Sequence, residues 1–250
     1  MQKISVSIIT LNEEKNIARC LKSVSWADEI IVVDSGSKDK TVEIAENLEA
    51  KVIFNAWKGF SEQKDFALRS CTNEWVLSLD ADEEVSEDLR VEISRVVNDN
   101  PVAEGFFIPR KTFFNGKWIK SCGWYPGYQL RLFKKSLTRL TDRRVHEGFE
   151  VDGKREYLKG DILHFTHFDL KSTIAKINNY STLEAEERYQ TKSSTPLNFI
   201  LNPLAAFLQH YILRRGFTDG VEGLIISLLH ALTNLMTYMK IWEMRRERGK

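Results

Sequence analysis

Asp80-Ala81-Asp82-Glu83 closes the apolar run Trp75-Val76-Leu77-Ser78-Leu79 with two carboxylates two residues apart. At the end of a strand, both could reach one cation or its hydrated shell. A hard divalent ion such as Mg²⁺ or Mn²⁺ takes oxygen ligands of this kind and commonly keeps substrate phosphates in its coordination sphere. A solvated acidic loop or a helix N-cap would carry the same residues, and the tripeptide alone does not separate the readings. Two further clusters tip the balance towards metal. Asn12-Glu13-Glu14 follows one strand-like run, and Asp34-Ser35-Gly36-Ser37 follows another.

The elements that must position these clusters are legible in the same stretch. Short β-branched runs at 4–10, 29–34, 51–54 and 75–79 alternate with helical patterns at 14–24 and 41–48, the second opened by the potential caps Ser37 and Asp39. That alternation predicts βαβ units around a mainly parallel sheet, an α/β fold. Right-handed crossovers place all the strand C-termini on one edge, where open α/β sheets bind ligands. All three acidic clusters should therefore meet there. Residues 101–170 are aromatic and basic and fit a second, mixed-sheet half of the same domain; 171–250 read as helical.

Bulk composition narrows the classes of function. The 250 residues are 42% hydrophobic, enough for a sizeable core, and 36 Lys+Arg against 35 Asp+Glu give a net charge of +1. No global field favours nucleic acid as a partner. Cys20, Cys71 and Cys122 form no CxxC pair and suit a reducing compartment. The run at 4–9 is too short for a signal-peptide core, which predicts a protein facing the cytosol.

The three blocks Ser7-Ile8-Ile9-Thr10-Leu11-Asn12-Glu13-Glu14, Ile31-Val32-Val33-Asp34-Ser35-Gly36-Ser37-Lys38-Asp39-Lys40-Thr41 and Leu79-Asp80-Ala81-Asp82-Glu83 resemble the signature blocks of family 2 inverting glycosyltransferases with the GT-A fold. The compact length, His146-Glu147 and Arg215-Gly216-Phe217-Thr218-Asp219-Gly220 are similar to bacterial lipopolysaccharide core β-1,4-glucosyltransferases. This resemblance implies a Rossmann-like nucleotide-binding half at 1–100, an acceptor half at 101–170 and a C-terminal helical tail at 171–250 that associates with membrane.

It also implies roles residue by residue. Thr10, Asn12 and Glu13 would contact the nucleoside, and Asp34 the uracil ring, where a carboxylate accepts from a base N–H; turn formation with Ser35-Gly36 is the competing role for Asp34. Lys64, after Gln63, would touch the pyrophosphate or be a solvated helix charge. Asp80, Ala81 and Asp82 would line the nucleotide sugar; Asp80 and Asp82 would organise the metal, with Asp82 the direct ligand, Asp80 on the nucleotide side and His164 a third ligand. An inverting transfer needs a base for the acceptor hydroxyl, and Glu147 stands where the family places it. Asp142 and Glu150 are its substitutes, and an ion pair with Arg143 and Arg144 is the alternative for Glu147. Apart from the resemblance, Trp124 and Tyr125 could form an aromatic platform for the acceptor sugar, with core packing the alternative, and Arg144 is assigned to the acceptor as a guanidinium that matches phosphate or carboxylate.

From Pro196 onward two apolar stretches, 197–213 and 223–239, flank Arg214 and Arg215. Both fall short of the roughly 20 residues of a spanning helix, Pro203 interrupts the first, and Ser227, His230, Asn234 and Thr237 make a weakly polar stripe on the second. Helices lying in the membrane interface are expected, with Arg214, Arg215, Lys240, Arg245, Arg246 and Arg248 near anionic head groups; burial in a dimer or on the catalytic domain is the alternative. The expected activity is transfer of a hexose, glucose from UDP-glucose, with Mg²⁺ or Mn²⁺, onto a lipid-linked oligosaccharide acceptor such as the lipopolysaccharide inner core. The site of action is the cytoplasmic face of the inner membrane, with the protein peripheral. Two rivals are a polypeptide or other envelope polysaccharide as acceptor, and a catalytically dead nucleotide-binding scaffold. A nucleotidyltransferase would need a Gly-rich triphosphate loop near the N-terminus, which the sequence lacks.

Overall fold

Each short β-branched run near the N-terminus becomes a strand: β1 (Ile4–Thr10), β2 (Glu29–Asp34), β3 (Lys51–Phe54) and β4 (Trp75–Asp80), with crossover helices α1 (Ile17–Ser23), α2 (Thr41–Asn47) and α3 (Phe60–Ser70) between them. The computed structural model describes residues 2–99, 102–141, 148–166, 169–192 and 194–248. After β4 come β5 (Glu83–Val85), α4 (Glu87–Asn98), β6 (Gly105–Ile108), β7 (Arg110–Phe114), β8 (Lys117–Trp118), β9 (Gln129–Lys134), β10 (Thr138–Leu140), β11 (Phe149–Val151), β12 (Arg155–Tyr157) and β13 (Ile162–Thr166). Three long helices follow: α5 (Leu170–Arg188), α6 (Asn198–Leu208) and α7 (Gly220–Arg248). The chain forms two compact units, one of Met1–Thr112 with Pro126–Phe165, the other of Phe113–Tyr125 with Thr166–Lys250.

The first unit is built on a seven-stranded sheet in the order β12-β6-β9-β4-β1-β2-β3. The strands β4, β1, β2 and β3 form the expected parallel part of the sheet, with Thr10 opposite Asp34 and Ile9 opposite Asp80 in register. Strand β9 then pairs antiparallel with both β4 and β6, so the mixed half continues the same sheet. Period-two alternation feeds two cores. Val6, Ile8 and Val32 meet α1, α2 and α4 on one face, while Ile31, Val33 and Val76 meet α3 on the other. Leu89, Ile93 and Val97 recur every four residues along α4 and are fully buried; each such side chain stabilises by roughly 1.5–3 kcal/mol. Ser86 caps that helix by accepting from Leu89 N–H.

Helix α1 starts at Ile17, three residues later than its apolar pattern suggests. The reason is that 11–16 is held as a loop against the loop after β2. Asn12 N–H donates to Ser37 Oγ, Glu13 N–H to Thr41 Oγ1 and Glu14 N–H to Asp39 Oδ2, while Asn12 Oδ1 accepts from Lys38 N–H. Asn12 takes the left-handed backbone (φ 56) that this crossing requires and that Asn tolerates.

The second unit is a helical assembly whose α7 packs against both α5 and α6. Asp169 caps α5 through Ser172 N–H. Lys240 on α7 donates to Asn178 O, Asn178 Oδ1, Ser181 Oγ and Thr182 Oγ1 of α5, and Thr237 donates to Glu184. The block 215–220 is the apex between α6 and α7. There buried Asp219 accepts from Lys120 N–H, Ser121 N–H and Ser121 Oγ–H, tying the 117–122 segment to the start of α7. Gly223 passes so close to Gly216 that a Cβ would lie 1.9 Å from its carbonyl oxygen. Below the apex the rings of His210 and His230 stack at 3.7 Å, and Nδ1–H of His210 donates to Cys122 O. Burial pushes the pKa of both imidazoles down, that of His230 to about 4. All three cysteines are free and buried.

Candidate active site

The acidic cluster after β4 is ordered by a guanidinium that the sequence does not advertise. Arg131, on β9 and 3% exposed, donates to Asp80 Oδ2 at 2.7 Å and to Glu83 Oε1 at 2.8 Å. Lys64 Nζ, from α3, closes on the other oxygen of Asp80 at 3.2 Å. Glu83 is fully buried and also accepts from Asp80 N–H, while Arg110 stands 3.6 Å away. Burial by itself would raise the Asp80 carboxyl; Arg131 and then Lys64 outweigh it and hold it well below the usual carboxylate range. Asp80 is thus a carboxylate with one oxygen on Arg131 and the other on Lys64.

Asp82 has a different environment. Strand β5 pairs antiparallel with β13, setting His164 opposite Glu83, and this register carries the imidazole to the preceding loop. His164 Nε2 lies 3.1 Å from Asp82 Oδ2, and its Nδ1 lies 3.4 Å from the buried Thr112 hydroxyl, which orients the ring. Phe165 N–H donates to Asp82 O, and the Arg19 guanidinium covers the Phe165 ring at 3.9 Å. A carboxylate and an imidazole on one point are a donor pair for Mn²⁺ or a similar divalent ion. Among the described residues no cluster of three or more ligating side chains occurs, so such an ion would draw its other ligands from phosphate and water.

At the adjoining strand ends, Thr10 is 5% exposed and its hydroxyl has no hydrogen-bond partner, a buried polar atom that calls for a ligand. Asp34 Oδ2 accepts from Gly36 N–H and Ser37 N–H and Oδ1 from Ser37 Oγ–H, so the carboxylate builds its own turn; a carboxylate has lone pairs to spare beyond these three bonds. Gln63, fully buried, ties the two loops together by donating to Ser35 Oγ and accepting from Asn55 Nδ2. Asn12 and Glu13 are engaged in the loop lacing, Glu13 also accepting from Asn16 Nδ2. Ala81 is buried in the core beneath.

The structure therefore gathers Lys64, Asp80, Asp82 and His164 at one end of the sheet, with Thr10 and Asp34 on the neighbouring strand ends. It adds Arg131, which sequence reasoning missed, and gives parts of their own to Glu83 and Gln63, which the sequence offered only as neighbours of Asp82 and Lys64. Only the alternation of β9, which leaves a charged residue among buried neighbours, hinted at Arg131. Glu147, Asp142, Arg143 and Arg144 lie outside the described residues. Glu150, the substitute base, is on β11 and paired with Arg139. Trp124 and Tyr125 belong to the second unit, where they pack edge-on against Phe114 and Trp118.

A family model described as glycosyl transferase family 2 matches residues 5–148. The lipopolysaccharide core biosynthesis glycosyltransferase LpsC of Rhizobium meliloti is 29% identical over 96% of this chain and 92% of its own length. Two solved structures share the GT-A fold with this chain. TarS 1-349 of S. aureus, in complex with UDP-GlcNAc, has a TM-score of 0.53 at 16% identity, over 99% of this chain and 92% of its own. Glucosyl-3-phosphoglycerate synthase of Mycobacterium tuberculosis, in complex with Mn²⁺, UDP and phosphoglyceric acid, has a TM-score of 0.50 at 20% identity, over 74% and 78%.

Proposed function

The chain belongs to glycosyl transferase family 2, and from that premise we propose that it moves a hexose, glucose from UDP-glucose, onto a lipid-linked oligosaccharide such as the lipopolysaccharide inner core, with inversion at the anomeric carbon. The observation that carries this reading is the division of labour after β4: Asp80 clamped between Lys64 and Arg131, Asp82 left to His164. A donor with a diphosphate needs a cation where the phosphate negative charge grows, and Asp82 with His164 are the residues to hold one. Held there, Mn²⁺ or Mg²⁺ would supply positive charge against the diphosphate of the departing UDP.

The remaining residues bind and orient. The unpartnered Thr10 hydroxyl and the spare lone pairs of Asp34 face the nucleoside, in loops already fixed by Gln63 and the Asn12–Ser37 lacing. Lys64 shares its charge between Asp80 and the diphosphate. Glu147 takes the proton of the acceptor hydroxyl as that oxygen attacks. The likeness to LpsC supports a lipopolysaccharide acceptor, and the complexes of the two structural relatives support UDP and Mn²⁺. A lipid-linked acceptor places the protein at the cytoplasmic face of the inner membrane, as a peripheral enzyme.

The deciding experiment is a screen of UDP-sugars for hydrolysis and transfer, with and without Mn²⁺. UDP-glucose should be consumed fastest, and only with the metal. A chain that consumes no UDP-sugar under any metal would overturn the reading.

A further inference from the structure

Helix α6 is apolar apart from Asn198 and Asn202, yet none of its residues is buried. A helix that is hydrophobic all round belongs inside a protein or a lipid phase. Leu197 at its N-cap, then Ile200, Leu201, Leu204 and Leu208, recur three or four residues apart, and each is at least 45% exposed. The apex beyond continues the pattern. Leu213 is 78% exposed, and Phe217, Val221, Leu224 and Leu228 follow at helical spacing into α7.

Charge says what covers this surface. Between 196 and 228 the charged residues are Arg214, Arg215, Asp219 and Glu222. Asp219 is buried in its three hydrogen bonds, and Glu222 is neutralised by Lys117 at 2.8 Å. Exposed Arg214 and Arg215 are thus the uncompensated charges, set among the most exposed apolar side chains. Of the basic residues near the C-terminus, Lys240 is wrapped by α5 acceptors, Arg245 donates to Tyr189 O and Arg246 lies over the Trp242 ring. This differs from the sequence expectation, which spread the lipid-facing charge along the whole tail.

Helix α7 is long and apolar enough to cross a bilayer by length and composition. Its middle and end, however, are hydrogen-bonded to α5, whose exposed face carries Lys171, Asn179 and Glu186. A crossing α7 would drag those polar groups into hydrocarbon, at a cost the hydrogen bonds do not remove.

We propose that the α6–α7 apex is a docking surface for an anionic phospholipid bilayer. Leu213, Phe217 and Val221 enter the boundary between head groups and acyl chains, α6 lies along it, and Arg214 and Arg215 meet lipid phosphates. The proposal deepens the reading of a peripheral transferase and rests on it for the reason the chain would need a membrane.

The test is co-sedimentation of the full chain with vesicles of phosphatidylglycerol and phosphatidylcholine, against pure phosphatidylcholine, with UDP-sugar hydrolysis in solution as the second readout. Binding should favour the anionic vesicles and weaken with salt. The double change Leu213→Asp, Phe217→Asp should cut partitioning by roughly tenfold or more, because it replaces inserted apolar groups by charge. Arg214→Gln with Arg215→Gln should abolish the anionic preference, and both variants should hydrolyse donor as the parent does. Parent protein left in the supernatant, variants that pellet like the parent, or resistance of the bound chain to alkaline carbonate would each overturn the proposal. So would a dimer in light scattering that Leu213→Asp, Phe217→Asp converts to monomer, since a second copy would then be the cover. Loss of donor hydrolysis by the parent with vesicle binding intact fails the donor reading and leaves this surface standing.

Discussion

Asp82 and His164 meet at 3.1 Å although they stand 82 positions apart in the chain, because β5 and β13 pair in a register that sets His164 beside the loop after β4. If they hold the metal, His164→Ala should raise the Mn²⁺ concentration for half-maximal turnover by roughly 10–100-fold. Asp82→Asn should abolish turnover at any accessible Mn²⁺. A titration of UDP-sugar consumption against Mn²⁺ reads both; curves that coincide with the parent's would remove the pair from the metal.

Arg131 holds two carboxylates from inside the protein, so Arg131→Ala should cost about 3–5 kcal/mol of stability, the scale for breaking a buried ion pair from one side. Arg131→Lys should recover part of it, since a single nitrogen, Nη2, makes both bonds to Asp80 and Glu83 and an ammonium keeps the charge and the donors. Urea unfolding measures both. The pH dependence has a definite sign. Asp80 is held well below its usual range when folded, so on acidification the unfolded chain takes the proton first, near its ordinary value of about 3.9. The stabilisation is complete above about pH 5 and lost progressively below about pH 4. Arg131→Ala should flatten that acid limb.

Gln63 should matter to donor binding without touching the donor. Gln63→Ala leaves Asn55 Nδ2 and Ser35 Oγ without their partner, a cost of roughly 1–3 kcal/mol, and loosens the turn that Asp34 builds. The expected signature is a raised KM for UDP-sugar with a kcat close to the parent's. An unchanged KM in a destabilised variant would confine Gln63 to packing.

Glu147→Gln keeps the shape and removes the base. Turnover should fall by about 10²–10⁴-fold, the usual worth of a positioned general base, while UDP binding with Mn²⁺, followed by calorimetry, stays near the parent's. Undiminished turnover would move the base elsewhere.

Much of this was readable in the sequence where the information is local. The bounds of β1, β2 and β3 coincide with their β-branched runs, and the acid clusters fall on strand ends, because period-two burial and the polar residue that terminates each run are written side by side. The clamp on Asp80 was not readable. Arg131 comes from 51 residues away on a strand whose antiparallel place beside β4 depends on the whole sheet order. Lys240 and Arg245 looked like lipid-facing charges for the same reason: their acceptors, on α5 and at its C-cap Tyr189, lie about sixty positions earlier in the chain. The block 215–220, distinctive in sequence, builds the apex of the helical hairpin, with Asp219 as its tie.

The close passage of Gly216 and Gly223 bears on how variants of this protein sort before any acceptor is supplied. A library scored only by soluble yield should lose nearly every replacement at these two positions, as it would at Leu89 or Ile93, since any side chain forces the hairpin apart. Variants at Asp82 and His164, partly buried and outside the apolar cores, should survive the same selection. Comparing survival with donor turnover in one population would separate architecture from chemistry, with no acceptor in hand.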